Sequence, residues 1–202
     1  MIQVKDNVVP EKYSYLFEKV LGADLAYYRA PSTYGRIIYL GHTLLKRDAF
    51  LNTTFNLKEP VLNSYYYPPF AELATFIITE KFKLPFEEFF RMCINWAIPD
   101  GEFIQTDPHC DHFFKHKNLL IYLTDSSGET LVYDKKASLI EEPGWDKDSH
   151  IADEPIETFK GKIKTKITPK KGRAVIFDGA HYHANVLPKP GDQRILLVAT
   201  FS

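Results

Sequence analysis

The sequence has few of the features that mark secreted, membrane-spanning or nucleic-acid-binding proteins. Only two of its 202 residues are cysteines, Cys93 and Cys110. This argues against a disulfide scaffold, and without a recognisable secretory leader it favours a reducing cytoplasm. No apolar run is long enough to predict a membrane span. Lysine and arginine number 25 against 26 aspartate and glutamate, so no basic excess indicates a nucleic-acid or membrane partner.

The residues that are present predict a globular domain with a β-rich core. Fifteen phenylalanines and twelve tyrosines are side chains that strands favour. A length of 202 residues suits one domain with a substantial core, and we find no internal repeat and no low-complexity linker. We therefore expect a single domain over residues 1–202, with a helical support region in residues 1–85 and a catalytic core in residues 86–202.

The hydrophobic spacing changes from helical in the first part of the chain to alternating in the second. Residues 7–22 and 68–82 place apolar side chains three and four positions apart, which predicts two helices. The tyrosine-rich residues 27–39 predict one or two strands, and residues 41–67 give no clear pattern. From residue 86 onward we predict strands at 91–98, 118–125, 126–134, 160–169, 172–179 and 194–201. Helices followed by short antiparallel strands predict an α+β fold with a sheet sandwich or barrel as its catalytic half.

One face of the strand at 91–98 is polar enough to require an explanation. Arg91 and Asn95 share a face opposite Ile94 and Trp96 because strand residues alternate. That polar face either lines a pocket or lies on the surface, and the alternation alone does not choose.

A histidine and an aspartate two residues apart form the first candidate metal site. Within DPHCDHFF, His109 and Asp111 would point the same way from an extended chain, and Cys110 would point to the opposite side. An imidazole and a carboxylate suit Fe(II) or a similar divalent ion, whereas zinc would more often recruit the thiols. Taken alone, such a pair is more often a polar loop than a chelate, so a third ligand must come from elsewhere. We expect His112 and His116 to be solvated or to support the ligands.

A second cluster, in residues 172–201, favours a metal site over a polar loop. It contains a buried strand, an FDG turn, the histidines His181 and His183, and Arg194 at the start of an apolar strand. A buried guanidinium needs an anionic partner, and the acid just before it, Asp192, lies in a turn. Either Arg194 reaches solvent at the strand end, or its partner is the carboxylate of a ligand held by two parallel hydrogen bonds.

The order of these elements resembles the 2-oxoglutarate and Fe(II)-dependent dioxygenases, in particular the small stand-alone members of the prolyl 4-hydroxylase-like branch. The shared order is His-x-Asp, a strand with YL, then GET, GRAVIFDG, a histidine and an arginine, over residues 86–201. The resemblance implies a double-stranded β-helix, a distorted jelly roll, with N-terminal helices packed on the major sheet. It also implies Fe(II), the cosubstrate 2-oxoglutarate and O2, with ascorbate as a further candidate cofactor.

The same resemblance implies roles for individual residues. His109, Asp111 and His183 match the three protein ligands of Fe(II). Arg194 matches the residue that holds the distal carboxylate of 2-oxoglutarate. Tyr122 matches a tyrosine that donates to the same carboxylate in some members, although by itself it is equally typical of a core aromatic.

Two histidines compete for the third ligand position. His181 and His183 have the same strand parity, so alternation does not choose between them. The family places its histidine before a small residue and about ten residues before the arginine. Arg194 follows His183 by eleven residues and His181 by thirteen, which favours His183. One departure from the family pattern is minor, since Ser127 and Gly128 stand where many members have two glycines.

The substrate is less well determined than the chemistry. We expect a peptide, a protein or a small molecule, with a prolyl residue as the first candidate, and we expect neither a nucleic-acid nor a membrane partner. A nucleobase substrate, a cupin-type isomerase and a vestigial binding domain are the alternatives. The cupin would not need Arg194, and the vestigial domain would not need an intact ligand set. The acidic, turn-rich residues 134–157, which include Trp145, are either a lid over the site or a solvated loop. The sequence does not predict the oligomeric state.

Overall fold

The computed structural model describes residues 1–22, 25–31, 38–46, 61–99, 104–112, 114–139 and 155–202. A 3₁₀ turn, Glu11–Tyr13, leads into helix α1, Ser14–Leu21; helix α2, Tyr67–Phe76, continues as a π-helical turn, Ile77–Lys81. The strands are β1 (Ile2–Lys5), β2 (Tyr28–Pro31), β3 (Ile38–Lys46), β4 (Val61–Leu62), β5 (Phe89–Ala97), β6 (Lys117–Tyr122), β7 (Thr130–Lys136), β8 (Ile163–Ile167), β9 (Ala174–Asp178), β10 (His181–Asn185) and β11 (Arg194–Phe201).

The strands form two antiparallel sheets. The major sheet has the order β1-β9-β6-β11-β5-β3-β2, with β4 paired to β3, and the minor sheet has the order β10-β7-β8. Strands that are neighbours in the sheet are often distant in sequence, as expected for a double-stranded β-helix rather than a meander. The predicted fold class, an α+β double-stranded β-helix with N-terminal helices on the major sheet, is confirmed.

The major sheet buries both of its faces, and the alternation along β11 shows how. Leu197 and Ala199 belong to the larger hydrophobic cluster, which contains the buried residues of α1 and α2. Leu196 and Val198 point to the other face and pack with Val132 and other residues of the minor sheet. The helices therefore cover one face, and the minor sheet packs against the other face.

Both predicted helices are present, but the first begins later than its predicted range of residues 7–22. Pro10 precedes the 3₁₀ turn, and α1 ends at Gly22. Two prolines occupy the first turn of α2, where a missing N–H costs nothing. No helix in the described part of the chain combines the length and apolar character needed to cross a bilayer.

The first 85 residues contribute more than helices. Strand β1 pairs with β9 at one edge of the major sheet, and β3 pairs with β5. Residues 41–46, which showed no clear pattern in the sequence, are the second half of β3. In the segment interpreted as a lid or loop, β7 extends to Lys136, and residues 140–154, with Trp145, lie outside the described residues.

Candidate metal centre

Three side chains converge between the two sheets. His109, Asp111 and His183 each offer one ligand atom such that all three atoms lie within 4.8 Å of one another. Asp111 Oδ2 lies 3.3 Å from His183 Nε2, and the centres of the two imidazole rings are 4.4 Å apart. Among the residues that the structure describes, this is the group of histidine, cysteine and carboxylate side chains that could hold a metal ion.

The backbone brings the two histidines together. His109 and His183 form an isolated antiparallel bridge, in which each backbone N–H donates to the other residue's carbonyl, at 3.0 and 2.9 Å. The loop that carries His109 is thereby held against β10. Because the bridge pairs the two residues directly, their side chains emerge next to each other on the same face.

Hydrogen bonds to backbone carbonyls set the tautomer of both histidines. His109 Nδ1 lies 2.9 Å from the carbonyl of Asp107, and His183 Nδ1 lies 3.3 Å from the carbonyl of His181. A carbonyl only accepts, so each Nδ1 donates to it and Nε2 is the ring nitrogen left to face the site. Both imidazoles therefore present a metal-ligating nitrogen, held in place by a backbone contact as in many metal sites.

The donor set fits a divalent cation. Ligand atoms at right angles around an ion, with bonds of about 2.1 Å, lie about 3 Å apart, close to the 3.3 Å between Asp111 Oδ2 and His183 Nε2. Burial, followed by the nearby charge of His183, lowers the pKa of His109 to about 4, so this imidazole is neutral at pH 7. Two imidazoles and one carboxylate without a thiol suit Fe(II) better than structural zinc, and they leave other coordination positions open.

Arg91 holds the remaining oxygen of the carboxylate. Its Nη1 donates to Asp111 Oδ1 at 2.8 Å, and the Asp111 side chain is only 7% exposed. Burial raises the pKa of Asp111, but the hydrogen bond and charge of His183, together with the charge of Arg91, hold it well below the usual range. With Oδ1 bound to Arg91, Asp111 offers Oδ2 alone to a metal. Arg91, on the polar face of β5, therefore lies at the site.

The remaining histidines of the two motifs lie outside this group. His181 is buried and its Nδ1 contacts the carbonyl of Tyr133 at 2.7 Å. His112 Nε2 lies 2.7 Å from Thr200 Oγ1. His116 is also buried, so neither His112 nor His116 is solvated. The structure brings together His109, Asp111 and His183 and does not bring His181 into the same cluster.

Arg194 is buried without an acidic partner among the described residues. It is 1% exposed. Its Nε donates to the carbonyl of Gly128 at 2.8 Å, and its Nη2 donates to Thr130 Oγ1 at 2.7 Å and Asn185 Oδ1 at 2.8 Å. All three acceptors are uncharged. Since Arg194 does not reach solvent at the strand end, its positive charge is left without a compensating negative charge from the described residues.

Tyr122 and Thr130 add a hydroxyl donor beside the guanidinium. The Tyr122 hydroxyl lies 2.7 Å from Thr130 Oγ1, and the guanidinium carbon of Arg194 lies 5.9 Å from the centre of the Tyr122 ring. Burial raises the pKa of Tyr122, so its hydroxyl keeps its proton. Two hydroxyl groups supply two protons, and the bond between them uses one. The other proton can be donated to a further acceptor beside the guanidinium.

Gly128 is required by the close approach of Arg194. A Cβ atom at this position would lie 2.7 Å from the carbonyl oxygen of Val186 and 2.9 Å from Cδ of Arg194. Such distances are shorter than van der Waals contact, so only glycine lets the guanidinium reach the Gly128 carbonyl without displacing the chain. The glycine of the GET element is thus needed for the Arg194 guanidinium to lie against the chain at this point.

Comparison with known proteins gives a match in structure but not in sequence. No protein-family model and no curated protein sequence matches the chain. An oxidoreductase of the 2OG-Fe(II) oxygenase family from Burkholderia pseudomallei superposes with a TM-score of 0.63, at 15% identity, over 100% of this chain and 85% of that chain. The fold is that of the 2-oxoglutarate/Fe(II) oxygenases.

Two further solved structures with this oxygenase fold differ in the reactions for which they are named. The epimerase SnoN of nogalamycin biosynthesis, solved with Fe3+, alpha ketoglutarate and nogalamycin RO, has a TM-score of 0.55 at 16% identity, over 99% of this chain and 78% of that chain. A prolyl-4-hydroxylase from Pseudomonas putida has a TM-score of 0.51 at 14% identity, over 99% of this chain and 91% of that chain. At these identities the likeness establishes the oxygenase fold.

Within this oxygenase fold, the inner face of the major sheet forms transverse rows between Arg194 and the three converging side chains. Tyr122 pairs with Leu196, two residues along β11 from Arg194. The next row, which we call the apolar row, consists of Cys93, Val198, Leu120 and Val175. The row after it, which we call the metal-end row, consists of Arg91, Thr200, Asn118 and Phe177. Along this face of the major sheet, the side chains therefore change from the cationic Arg194, through the apolar row, to the polar side chains of the metal-end row.

Sequence reasoning missed several residues around the anchor. Tyr39 on β3 pairs with Ala97, the partner of Arg194, and it lies close to Asn185 and Arg194; burial raises its pKa. Thr130 and Asn185 bind the guanidinium directly. Asn185 had a usable signal, because it is two residues after His183 and shares its face. Tyr39 had none, because only the pairing of β3 with β5 brings it near.

Proposed function

We propose that this protein is an Fe(II)- and 2-oxoglutarate-dependent dioxygenase that hydroxylates a substrate. His109, Asp111 and His183 would bind Fe(II) through Nε2, Oδ2 and Nε2. Arg194, with Tyr122 beside it, would bind the distal carboxylate of 2-oxoglutarate. The observation that carries the proposal is Arg194, buried without an acidic partner among the described residues, on the sheet face whose far end carries Arg91, which holds Asp111 of the three converging side chains.

The order of side chains along the inner face of the major sheet fits 2-oxoglutarate. A dicarboxylate with a short methylene chain needs a cationic anchor, an apolar strip and a polar metal end, and the transverse rows supply these in that order. When bound, Fe(II) with 2-oxoglutarate and O2 supplies oxidising chemistry that the side chains lack. The protein's own groups bind and orient: Arg194 fixes one end of the cosubstrate, Arg91 fixes the carboxylate of Asp111, and the two sheets exclude water.

For the substrate, we propose C–H hydroxylation on a peptide or a small molecule, with a prolyl residue in a peptide as the first candidate to test. The resemblance of the sequence motifs to the prolyl 4-hydroxylase-like branch and the structural likeness to the Pseudomonas putida prolyl-4-hydroxylase support this choice. The likeness to SnoN supports a screen of small molecules next.

The experiment is an anaerobic titration of the wild-type protein with Fe(II) and 2-oxoglutarate. A keto acid that chelates Fe(II) gives a visible metal-to-ligand charge-transfer band, and we expect that band to saturate. Succinate, which has both carboxylates but no keto oxygen, is the matched control and should give no band. If saturating 2-oxoglutarate produces no band although Fe(II) is bound, the proposed function is wrong. A cupin-type metal enzyme would behave in that way.

A further inference from the structure

Asn118 is a buried amide without a hydrogen-bond partner. It lies on β6 with 0% of its surface exposed, and neither Nδ2 nor Oδ1 has a partner in the described part of the chain. A buried polar group that is left unsatisfied costs free energy, and native proteins pair nearly all of them with protein, water or ligand. Asn118 carries two such atoms on one side chain, so it calls for a ligand-based explanation.

The position of Asn118 places its amide in the metal-end row. Along β6, Leu120 and Tyr122 point into the space between the sheets, and Asn118 shares their face because strand residues alternate. Its paired neighbour on one side is Thr200, and on the other side it is Phe177. The amide therefore lies on the face of the major sheet that packs against the minor sheet.

The neighbours of Asn118 contact the side chains proposed as metal ligands. Phe177 packs edge-on against His183, with ring centres 5.2 Å apart. Arg91, the next residue in the row beyond Thr200, holds Asp111. Asn118 thus lies in the same row as residues that touch two members of the candidate triad.

The other polar groups of the row are already occupied. Thr200 Oγ1 lies 2.7 Å from His112 Nε2, and Arg91 Nη1 lies 2.8 Å from Asp111 Oδ1. Asn118 is the member of the row whose side chain remains available to a bound molecule. Its Nδ2 offers two N–H donors, which suit an anionic oxygen.

We propose that the Asn118 amide binds the metal-bound end of the 2-oxo acid and donates a hydrogen bond to the carboxylate next to the keto group. This inference rests on the proposed function, because Arg194 at the far end places that carboxylate over the metal-end row. Asn118 is then a positioning residue for the cosubstrate and not a metal ligand. It would hold the keto acid in the orientation in which both its oxygens reach the metal.

The test compares Asn118→Leu and Asn118→Asp with wild type and with Asn185→Leu, which perturbs the anchor end. We expect Asn118→Leu to weaken 2-oxoglutarate binding about tenfold to a hundredfold, since one charge-assisted hydrogen bond is lost. We expect Asn118→Asp to weaken it more, because its carboxylate repels that of the ligand. Both Asn118 variants should shift the maximum of the charge-transfer band, whereas Asn185→Leu should weaken binding without moving it.

Two controls separate a binding role from a structural one. Mn(II) affinity measured without 2-oxoglutarate should be unchanged in Asn118→Leu, because the amide is not a ligand. The melting temperature of Asn118→Leu without ligand should equal or exceed that of wild type, since an unsatisfied amide has been replaced by an apolar group of similar size.

The possible failures are distinguishable. If wild type gives a band and Asn118→Leu binds 2-oxoglutarate with unchanged affinity and an unchanged band, this inference is wrong while the proposed function stands. Loss of Mn(II) binding in Asn118→Leu would also overturn it, because the residue would then support the triad. If wild type itself gives no band, the failure belongs to the proposed function.

Discussion

Replacing Arg194 by lysine keeps the positive charge and removes the planar fork. The guanidinium donates to Gly128, Thr130 and Asn185 at 2.7 to 2.8 Å, and these contacts fix its plane before any ligand arrives. A lysine ammonium is a point charge with three donors that would have to divide them between these acceptors and a ligand. We therefore expect Arg194→Lys to fold, to bind Fe(II) normally and to bind 2-oxoglutarate weakly.

The magnitude follows from the number of hydrogen bonds. Gly128, Thr130 and Asn185 engage Nε and both hydrogens of Nη2, so the Nη1 donors of Arg194 are left for a ligand carboxylate. A lysine ammonium that keeps these acceptors satisfied would lose about one charge-assisted hydrogen bond to that carboxylate. One such bond contributes roughly 1.5 to 3 kcal/mol, which corresponds to a dissociation constant raised about tenfold to a hundredfold. At a ligand concentration of about 100 times the wild-type Kd, 2-oxoglutarate should add about 2.7 kcal/mol to the stability of wild type. For a variant that binds about 30-fold more weakly, it should add about 0.9 kcal/mol.

Two measurements check this expectation. Anaerobic titration of the charge-transfer band gives the affinity, and the 2-oxoglutarate-dependent rise in melting temperature gives the stabilisation in the presence of metal. Arg194→Lys should lose most of the 2-oxoglutarate affinity and most of the 2-oxoglutarate-dependent rise in melting temperature, while its Fe(II) content is unchanged. An unchanged 2-oxoglutarate affinity in a folded variant would remove Arg194 from the cosubstrate site and contradict the argument from its missing acidic partner.

Three further predictions concern the metal end and the approach to the anchor. His183→Ala should lose Fe(II) in a metal-content assay and His181→Ala should keep it; the reverse result would exchange the two assignments. Arg91→Leu should weaken Mn(II) binding about tenfold to a hundredfold, as loss of a residue that orients a metal ligand typically does, because Asp111 Oδ1 loses its partner; an Mn(II) affinity equal to wild type would show that the carboxylate needs no support. Gly128→Ala should reduce 2-oxoglutarate affinity by displacing the anchor guanidinium, with metal binding unaffected; a cosubstrate affinity equal to wild type would mean that the chain moves aside at no cost.

The sequence was most informative where a charged or polar residue interrupts an apolar strand. Arg194 stands at the start of an eight-residue apolar strand, and that conflict left two alternatives, an arginine that reaches solvent at the strand end or a buried guanidinium with an anionic ligand. The structure buries the guanidinium, and the anionic ligand stays a prediction. The alternation along β5 separated Arg91 and Asn95 from Ile94 and Trp96. Both inferences depend on local period and on the cost of a buried charge, and neither requires knowledge of strand pairing.

The sequence predicted least where a role depends on which strands are neighbours. Asn118 appears in the sequence as one polar residue before an apolar run, and only its pairing with Thr200 and Phe177 places it beside the metal centre. Tyr39 reaches the anchor because β3 lies next to β5. Strand β1 is four residues long, too short for alternation to stand out, and it is part of the major sheet only through its pairing with β9.

The place of β11 in the major sheet has a consequence for how the protein folds. This strand comes last along the chain but lies between β5 and β6, so the two halves of the major sheet meet only through it. Arg91 is on one half, Tyr122 and Asn118 are on the other, and β11 itself carries Arg194 and Thr200. Contacts that join such distant parts of a chain form slowly. The proposed metal and cosubstrate sites should therefore form together, in one late cooperative step, when residues 194–201 insert between their neighbours.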